Sequence, residues 1–230
     1  MATGLKIYNT ENTVQIDENW KNYGFRQKIS VSATVYDTSP PNPAGFNGMP
    51  YMLTVSGSPQ LLVACKAAVL LPVKQHSYYS GGTWELNWLF MRQIGVTGTV
   101  SETVQFYIFD QMTGPFSNVG IAVYNAAGEL VFHSDARPMK LGSISNAGVQ
   151  GCNTSFSGTS GRTYVPLILS NPFVAANIGG GLGNRHFSYG NRSLGSVITG
   201  EGTPQLGAFA SLFSSADIAG LYAAIDVTGL

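Results

Sequence analysis

Acid–base, metal or nucleophilic chemistry near neutral pH would draw first on three histidines, His76, His133 and His186, since imidazole is the side chain that ordinarily titrates there. None stands in an HxxxH or HExxH pattern, so the helical zinc-protease arrangement is missing. His133-Ser134-Asp135 sets two possible ligands close together, but it closes an apolar run and is expected to be a solvent-facing polar turn. A serine nucleophile on a sharp turn is often written GxSxG; Gly158-Thr159-Ser160-Gly161 lacks the final spacing and reads as a flexible loop. Among twelve acids no pair is marked out for two-carboxylate glycosidase work. Gly179-Gly180-Gly181-Leu182-Gly183-Asn184-Arg185-His186 has the glycines of a phosphate loop without its context, since no Gly-Lys-Ser/Thr ends it. The expectation is no catalytic residue, no metal site and no cofactor.

Binding chemistry has better candidates. Tyr78, Tyr79, Trp84, Trp88, Phe187 and Tyr189 carry rings of the kind that stack on sugars and on adaptable partner surfaces. Trp84 and Trp88 alternate with Leu86 and Phe90, which makes them core residues of a strand. Tyr78, Tyr79, Phe187 and Tyr189 fall in expected loops and stand as candidate receptor or partner contacts.

The elements that would hold these residues are strands. Gln27 to Tyr36 puts Ile29, Val31, Ala33 and Val35 on one face and Ser30, Ser32 and Thr34 on the other. Further strands are expected at Tyr51–Ser56, Leu61–Leu71, Trp84–Met91, Val104–Phe109, Thr163–Leu169 and Leu221–Val227, with a helical turn near Ser215–Tyr222 that Asp217 would cap. Residues 39–48 carry three prolines and two glycines and read as a loop. After Leu141 the composition shifts: 16 of the 28 glycines lie in residues 142–230, so 1–141 and 142–230 are set apart, the second being a separate region or a part of the same domain. The expected class is mainly β, an antiparallel β-sandwich built around a repeated hairpin, with long Gly/Ser-rich loops.

Composition narrows the partners. Charged residues make up 10% of the chain and the formal net charge is zero, which removes the basic footprint of a nucleic-acid binder and any polybasic lipid patch. A weakly charged surface favours self-association. The longest apolar run, Leu61 to Val73, is broken by Lys66 and Pro72 and falls short of the roughly 20 residues of a membrane helix. No basic segment followed by an apolar core opens the chain, so no secretion signal is expected and Cys65 and Cys152 are read as reduced, with a bridge between them the less favoured alternative and Cys65 within the core.

One phrase occurs twice. Gly4-Leu5-Lys6-Ile7-Tyr8-Asn9 is followed by Thr13-Val14-Gln15-Ile16-Asp17, and Gly120-Ile121-Ala122-Val123-Tyr124-Asn125 by Glu129-Leu130-Val131-Phe132-His133. The copies align without a gap, and Gly128 or Asn12 supplies the positive φ of the tight loop between the strands. This phrase resembles the opening of small tail proteins of tailed bacteriophages, which show a Gly-aliphatic-x-aliphatic-aromatic-Asn start, a Gly-containing turn and a Leu-Val-Phe-Asp-Ser-like strand. The likeness covers the two hairpins, with His133 where an acid is common. It implies a non-enzymatic virion component at the tail tip or tail fibre, assembled in the host cytoplasm, whose partners are further copies of itself in a cyclic oligomer and other phage tail proteins. The alternative is a carbohydrate- or receptor-binding module of the host-recognition apparatus, using a host surface glycan or receptor.

Overall fold

The computed structural model of the chain describes residues 6–8, 14–17, 22–36, 48–92, 97–112, 116–147, 154–170, 173–177, 184–194, 197–206, 216–218 and 220–230. Among these every regular element is a strand and every pairing is antiparallel, as the mainly β sandwich class requires. The first eight strands are β1 (Lys6–Tyr8), β2 (Val14–Asp17), β3 (Tyr23–Val35), β4 (Gly48–Ser56), β5 (Leu62–Lys66), β6 (Leu71–Ser80), β7 (Thr83–Met91) and β8 (Val100–Gln111). The next ten are β9 (Ala122–Tyr124), β10 (Leu130–His133), β11 (Lys140–Ala147), β12 (Thr154–Ser157), β13 (Tyr164–Ser170), β14 (Phe173–Asn177), β15 (Asn184–Leu194), β16 (Val197–Leu206), β17 (Ala216–Ile218) and β18 (Gly220–Asp226). One sheet runs β11-β18-β13-β5-β8-β3; against it lie β4-β7-β6 and β12-β16-β15-β14-β17, with β15 alongside β6.

The registers reveal how this architecture arises. In β3–β8 the pairs are Gly24↔Asp110 and Phe25↔Phe109, then a bulge at Arg26, then Gln27↔Ile108 onward to Val31↔Val104. In β11–β18 they are Lys140↔Asp226 and Leu141↔Ile225, a bulge at Gly142, then Ser143↔Ala224 onward to Ala147↔Gly220. Every residue of the second set lies 116 positions after its counterpart, the bulge included. The hairpins obey the same offset: Lys6↔Asp17, Ile7↔Ile16 and Tyr8↔Val14 become Ala122↔His133, Val123↔Phe132 and Tyr124↔Leu130. The chain is therefore two structurally equivalent halves, with β4-β7-β6 answered by β12-β16-β15, and β14 and β17 added to the second.

The halves meet twice. In the six-stranded sheet β5 pairs with β13 through Ala64↔Leu167, each of which sits in the same place in its own half, opposite Tyr107 and Ala223 respectively. At the far edges Phe25 N–H donates to Arg137 O and Met139 N–H to Tyr23 O, with a bridge at Gly24↔Pro138. The sheet is thus curled until its two edges join at one end. Pro138 occupies the position between these two hydrogen bonds, where its missing N–H leaves nothing unpaired.

Curling gives the sheet two apolar faces. One carries Ala33, Val35, Val63, Cys65, Val104, Phe106 and Ile108 against Leu53, Val55, Leu86, Trp88 and Phe90 of the facing layer. Phe106 is its aromatic centre, with ring centroids of Trp88 at 5.3 Å, Tyr51 at 5.8 Å and Phe90 at 6.2 Å, spacings typical of favourable ring pairs. The other face gathers Ala64, Tyr107, Phe109, Val165, Leu167, Ala223 and Ile225 inside the curl. Lys28 closes its rim, its Nζ 5.6 Å from the Tyr107 centroid and 2.8 Å from Leu230 O.

Several expectations change here. Leu61–Leu71 is two strands, because the chain changes sheets between them: the N–H groups of Ala68, Val69 and Leu70 all donate to the Glu102 carboxylate, ending β5 before β6 starts. The helical turn near Ser215–Tyr222 is absent among the described residues, where 216–218 and 220–226 are strands. The Gly/Ser-rich stretch 179–207 contains β15 and β16, a ten-pair ladder, in place of a long loop. Each repeated hairpin is a two-stranded sheet of its own beside the larger sheets, so what repeats is the whole half and not the hairpin alone. The repeat boundary lies near 112–119, whereas the composition shifts at 141, inside β11.

Candidate functional site

The second hairpin shows what its repeated Tyr-Asn ending is for. Asn125 N–H donates to Glu129 O and Gly128 N–H to Asn125 O, a turn closed by Gly128 at φ 78°. The Asn125 Oδ1 accepts from Ala127 N and Glu129 N, and its Nδ2 donates to the Glu129 carboxylate at 2.8 Å. Asn125 is thus a turn-former; Asn9 and Asn12 of the first copy lie outside the described residues. Val123 and Val131 are buried beneath the ribbon, and Asn22 ties it to β3 through Val131 O.

His133 alternates with Val131 and is buried at 6% exposure, which corrects the solvent-facing expectation. Its ring stacks on Phe116 at 4.6 Å with 8° between planes, and its Nδ1 accepts from Asp135 N at 3.1 Å. Asp135 accepts from Ser117 N; hydrogen bonding from Ser117 first, and the neighbouring His133 after it, hold its carboxyl below the usual range. Among the described residues no group of three or more His, Cys, Asp or Glu could hold a metal ion.

Beside this ribbon lies a cleft of about 730 Å³. The start of β3 (Gly24–Arg26), the Gly57-Ser58 turn, the end of β8 (Asp110–Met112), Phe116 and Asp135–Arg137 form its walls. Asp110, 7% exposed, anchors it by accepting from Ser58 Oγ at 2.5 Å, Gln111 N at 2.8 Å, Ser58 N at 3.0 Å and Arg26 Nη1 at 3.3 Å. Arg26 also donates to Ser56 O, and Ser58 O accepts from Trp84 Nε1 at 2.8 Å. Burial first, then the Asp110 charge, raises the Tyr23 phenol above its ordinary value, and its hydroxyl donates to Gln60 O.

The equivalent aspartate of the second half, Asp226, solves the same problem with other parts. Position 142, the counterpart of Arg26, is glycine, and a Cβ there would meet the Tyr164 ring at 2.7 Å. The guanidinium comes instead from Arg162, bound to Asp226 Oδ2, while Thr228 N donates to Oδ1 at 3.0 Å. Burial would raise the Asp226 carboxyl; the hydroxyl and amide of Thr228 and the Arg162 charge outweigh it and hold the group below the usual range. A buried aspartate with a guanidinium is therefore part of the frame in both halves.

The four aromatic candidates do not form one platform. Tyr78 and Tyr79 lie in β6, where only Gly81 and Gly82 make the turn, so they point to opposite faces. Tyr78 is 62% exposed; Tyr79 packs on Trp84 at 5.0 Å and its hydroxyl reaches Gly57 O. Phe187 and Tyr189 lie in β15, not in a loop, at positions paired with Pro204 and Gly202. Trp88 is buried in the core and Trp84 is packed against it, as alternation requires. Cys65 is a free, buried thiol, pushed well above its ordinary value by burial and then by Glu102; Cys152 lies outside the described residues. The sequence reading passed over Arg26, Asp110, Phe116 and Arg137. The common offset of Asp110 and Asp226, each following apolar strand residues, is a signal for the aspartate alone; Arg26 has Gly142 at that offset, and no sequence signal marks Phe116 or Arg137.

Comparison with family models, curated proteins and solved structures finds no match to this chain.

Proposed function

We propose that the chain is a non-enzymatic structural component of a bacteriophage tail, at the tail tip or associated with a fibre, which assembles with copies of itself in a cyclic oligomer and with other tail proteins in the virion. The observation that carries this reading is the repeated Gly-aliphatic-x-aliphatic-Tyr-Asn hairpin, whose two copies pair in the same register with the same bulge. Its likeness to tail proteins is one of sequence, and the shared register makes it a property of a folded unit. A weakly charged chain suits packing among neighbours, and β4, whose one ladder partner among the described residues is β7, leaves an edge on which Met52 is 55% exposed. Mass-spectrometric assignment of the chain in purified particles, with its location by electron microscopy, tests the reading. A stable monomer that never enters particles refutes it.

The second reading is a receptor- or glycan-binding module within the same apparatus. Tyr78 favours it, as a tyrosine 62% exposed on an outer sheet face. Tyr78→Ala and Tyr189→Ala variants that adsorb to host cells as the parent does would refute this reading.

A further inference from the structure

We infer that the cleft between β3 and the second hairpin is a binding site for a carboxylate-bearing saccharide, held by Arg137 and by the Phe116 ring. The inference does not depend on where the chain sits in a particle.

The backbone around the cleft excludes an extended peptide. At the start of β3, Gly24 is paired with Asp110 on one side, while Tyr23 and Phe25 are bonded to Met139 and Arg137 on the other. No edge is free for strand addition there, so recognition has to proceed through side chains on a compact ligand. A volume of about 730 Å³ lies within the range of roughly 300–1,000 Å³ common for small-ligand clefts.

The side chains then define the ligand. Arg137 is exposed and makes no ion pair among the described residues, so its planar fork is available to a carboxylate. Arg26 adds positive charge, yet its Nη1 is already committed to Asp110 and Ser56, which makes it frame more than ligand contact. Asp135 is ionised at neutral pH and 42% exposed, an acceptor for ligand hydroxyl groups. It would repel a dianionic phosphate placed beside it more strongly than a singly charged carboxylate. Phe116 lines the cleft with His133 stacked behind it, so it is a rigid apolar wall suited to the C–H face of a pyranose. One carboxylate, neighbouring hydroxyls and an apolar ring face occur together in a uronic-acid type of sugar. The buried aspartate and its guanidinium recur at Asp226 and Arg162, so Asp110 and Arg26 belong to the frame.

The test is ligand-observed NMR on the full chain with galacturonic acid, galactose and inorganic phosphate as probes. Galacturonic acid is expected to bind, with galactose and phosphate weaker by at least about tenfold, the scale of one charge-assisted contact. Arg137→Ala is expected to lower galacturonate affinity at least about tenfold, Arg137→Lys by less, and Phe116→Leu to weaken galacturonate and galactose alike. Arg137→Ala is expected to leave the unfolding midpoint in place because its side chain is exposed. Equal binding of galactose and galacturonate, or an Arg137→Ala variant that binds as the parent does, overturns the inference. So does the absence of binding by any acidic sugar, and preferential binding of phosphate would replace it with an anion site.

Discussion

Replacing Asp110 by asparagine tests whether the buried carboxylate organises the end of β8. Its Oδ2 accepts from Ser58 N and Arg26 Nη1, and its Oδ1 from Ser58 Oγ and Gln111 N. An asparagine amide keeps one acceptor oxygen. If that oxygen takes the Oδ2 place, the new NH2 faces the Gln111 N–H; if it takes the Oδ1 place, the NH2 faces both Ser58 N–H and the guanidinium. Neither orientation satisfies the site. Losing one to two hydrogen bonds to a charged acceptor costs about 3–4 kcal/mol. Ser58→Ala removes a single hydroxyl contact and should cost about 1–1.5 kcal/mol. Urea unfolding followed by fluorescence reads both. With an m-value of roughly 2–3 kcal/mol/M, Asp110→Asn shifts the midpoint down by about 1–2 M with m unchanged. A shift below about 0.3 M, or one no larger than that of Ser58→Ala, refutes the assignment of Asp110 as the organising residue.

Other consequences are equally direct. Asp226 is held below its ordinary value, so between the two values the unfolded chain binds more protons; the stability this supplies is complete at neutral pH and is lost as pH falls below about 3.8. Asp226→Asn should lower stability at pH 7 and flatten the acid limb of a stability–pH curve, and an unchanged limb would count against the pairing with Arg162 and Thr228. Glu102→Gln should cost about 1–3 kcal/mol in chemical denaturation, since the three amides of Ala68, Val69 and Leu70 lose a charged acceptor. Gly128→Ala, at φ 78°, should cost about 1–2 kcal/mol and loosen the second hairpin, seen as faster amide exchange at Asn125 and Glu129. In a Cys152→Ser background, Cys65 should resist thiol reagents until the chain unfolds.

Much of the fold was legible because alternation survives in the strands that face the core. Ile29 to Val35 and Trp84 to Phe90 lie as their pattern requires, and Ala33, Val35, Leu86, Trp88 and Phe90 are buried. The repeat was legible only where residue identity persists, in the two hairpins. Beyond them it is carried by geometry: Ile29↔Phe106 corresponds to Ser145↔Tyr222, pairs alike in place and unlike in chemistry. β15 and β16 read as loop because the stretch 179–207 around and within them is rich in Gly, Ser, Thr and Asn, although a partner strand overrides that preference. His133 read as exposed because polarity was taken as the guide. Its phase with Val131 was the stronger signal, and an aromatic partner at Phe116 offsets the cost of burying the imidazole. The cleft was not legible at all, since its walls come from five separate stretches of chain.

The internal repeat changes which differences carry information. Two halves with one architecture are under the same folding constraints, so features present in both belong to the frame. By that criterion the hairpin phrase and the buried aspartates are scaffold. They persist at a constant offset even where the source of the guanidinium moves from β3 to the turn before β13. Features confined to one half are free of that requirement. Arg26 is of this second kind, since its counterpart at the same offset is Gly142. The edge of β4 is of the first kind, since β12 is likewise the outer strand of its own sheet. Two equivalent edges on one chain would let each copy contact two neighbours through similar strands, and Met52 on β4 is not among the residues that line the cleft. Assembly and ligand binding would then be separable by mutation: charges placed on β4, such as Met52→Lys, should reduce oligomer formation without altering galacturonate affinity, and Arg137→Ala should do the reverse. Light scattering and ligand-observed NMR on the same samples decide it, and a variant that loses both together would show that the two surfaces are coupled.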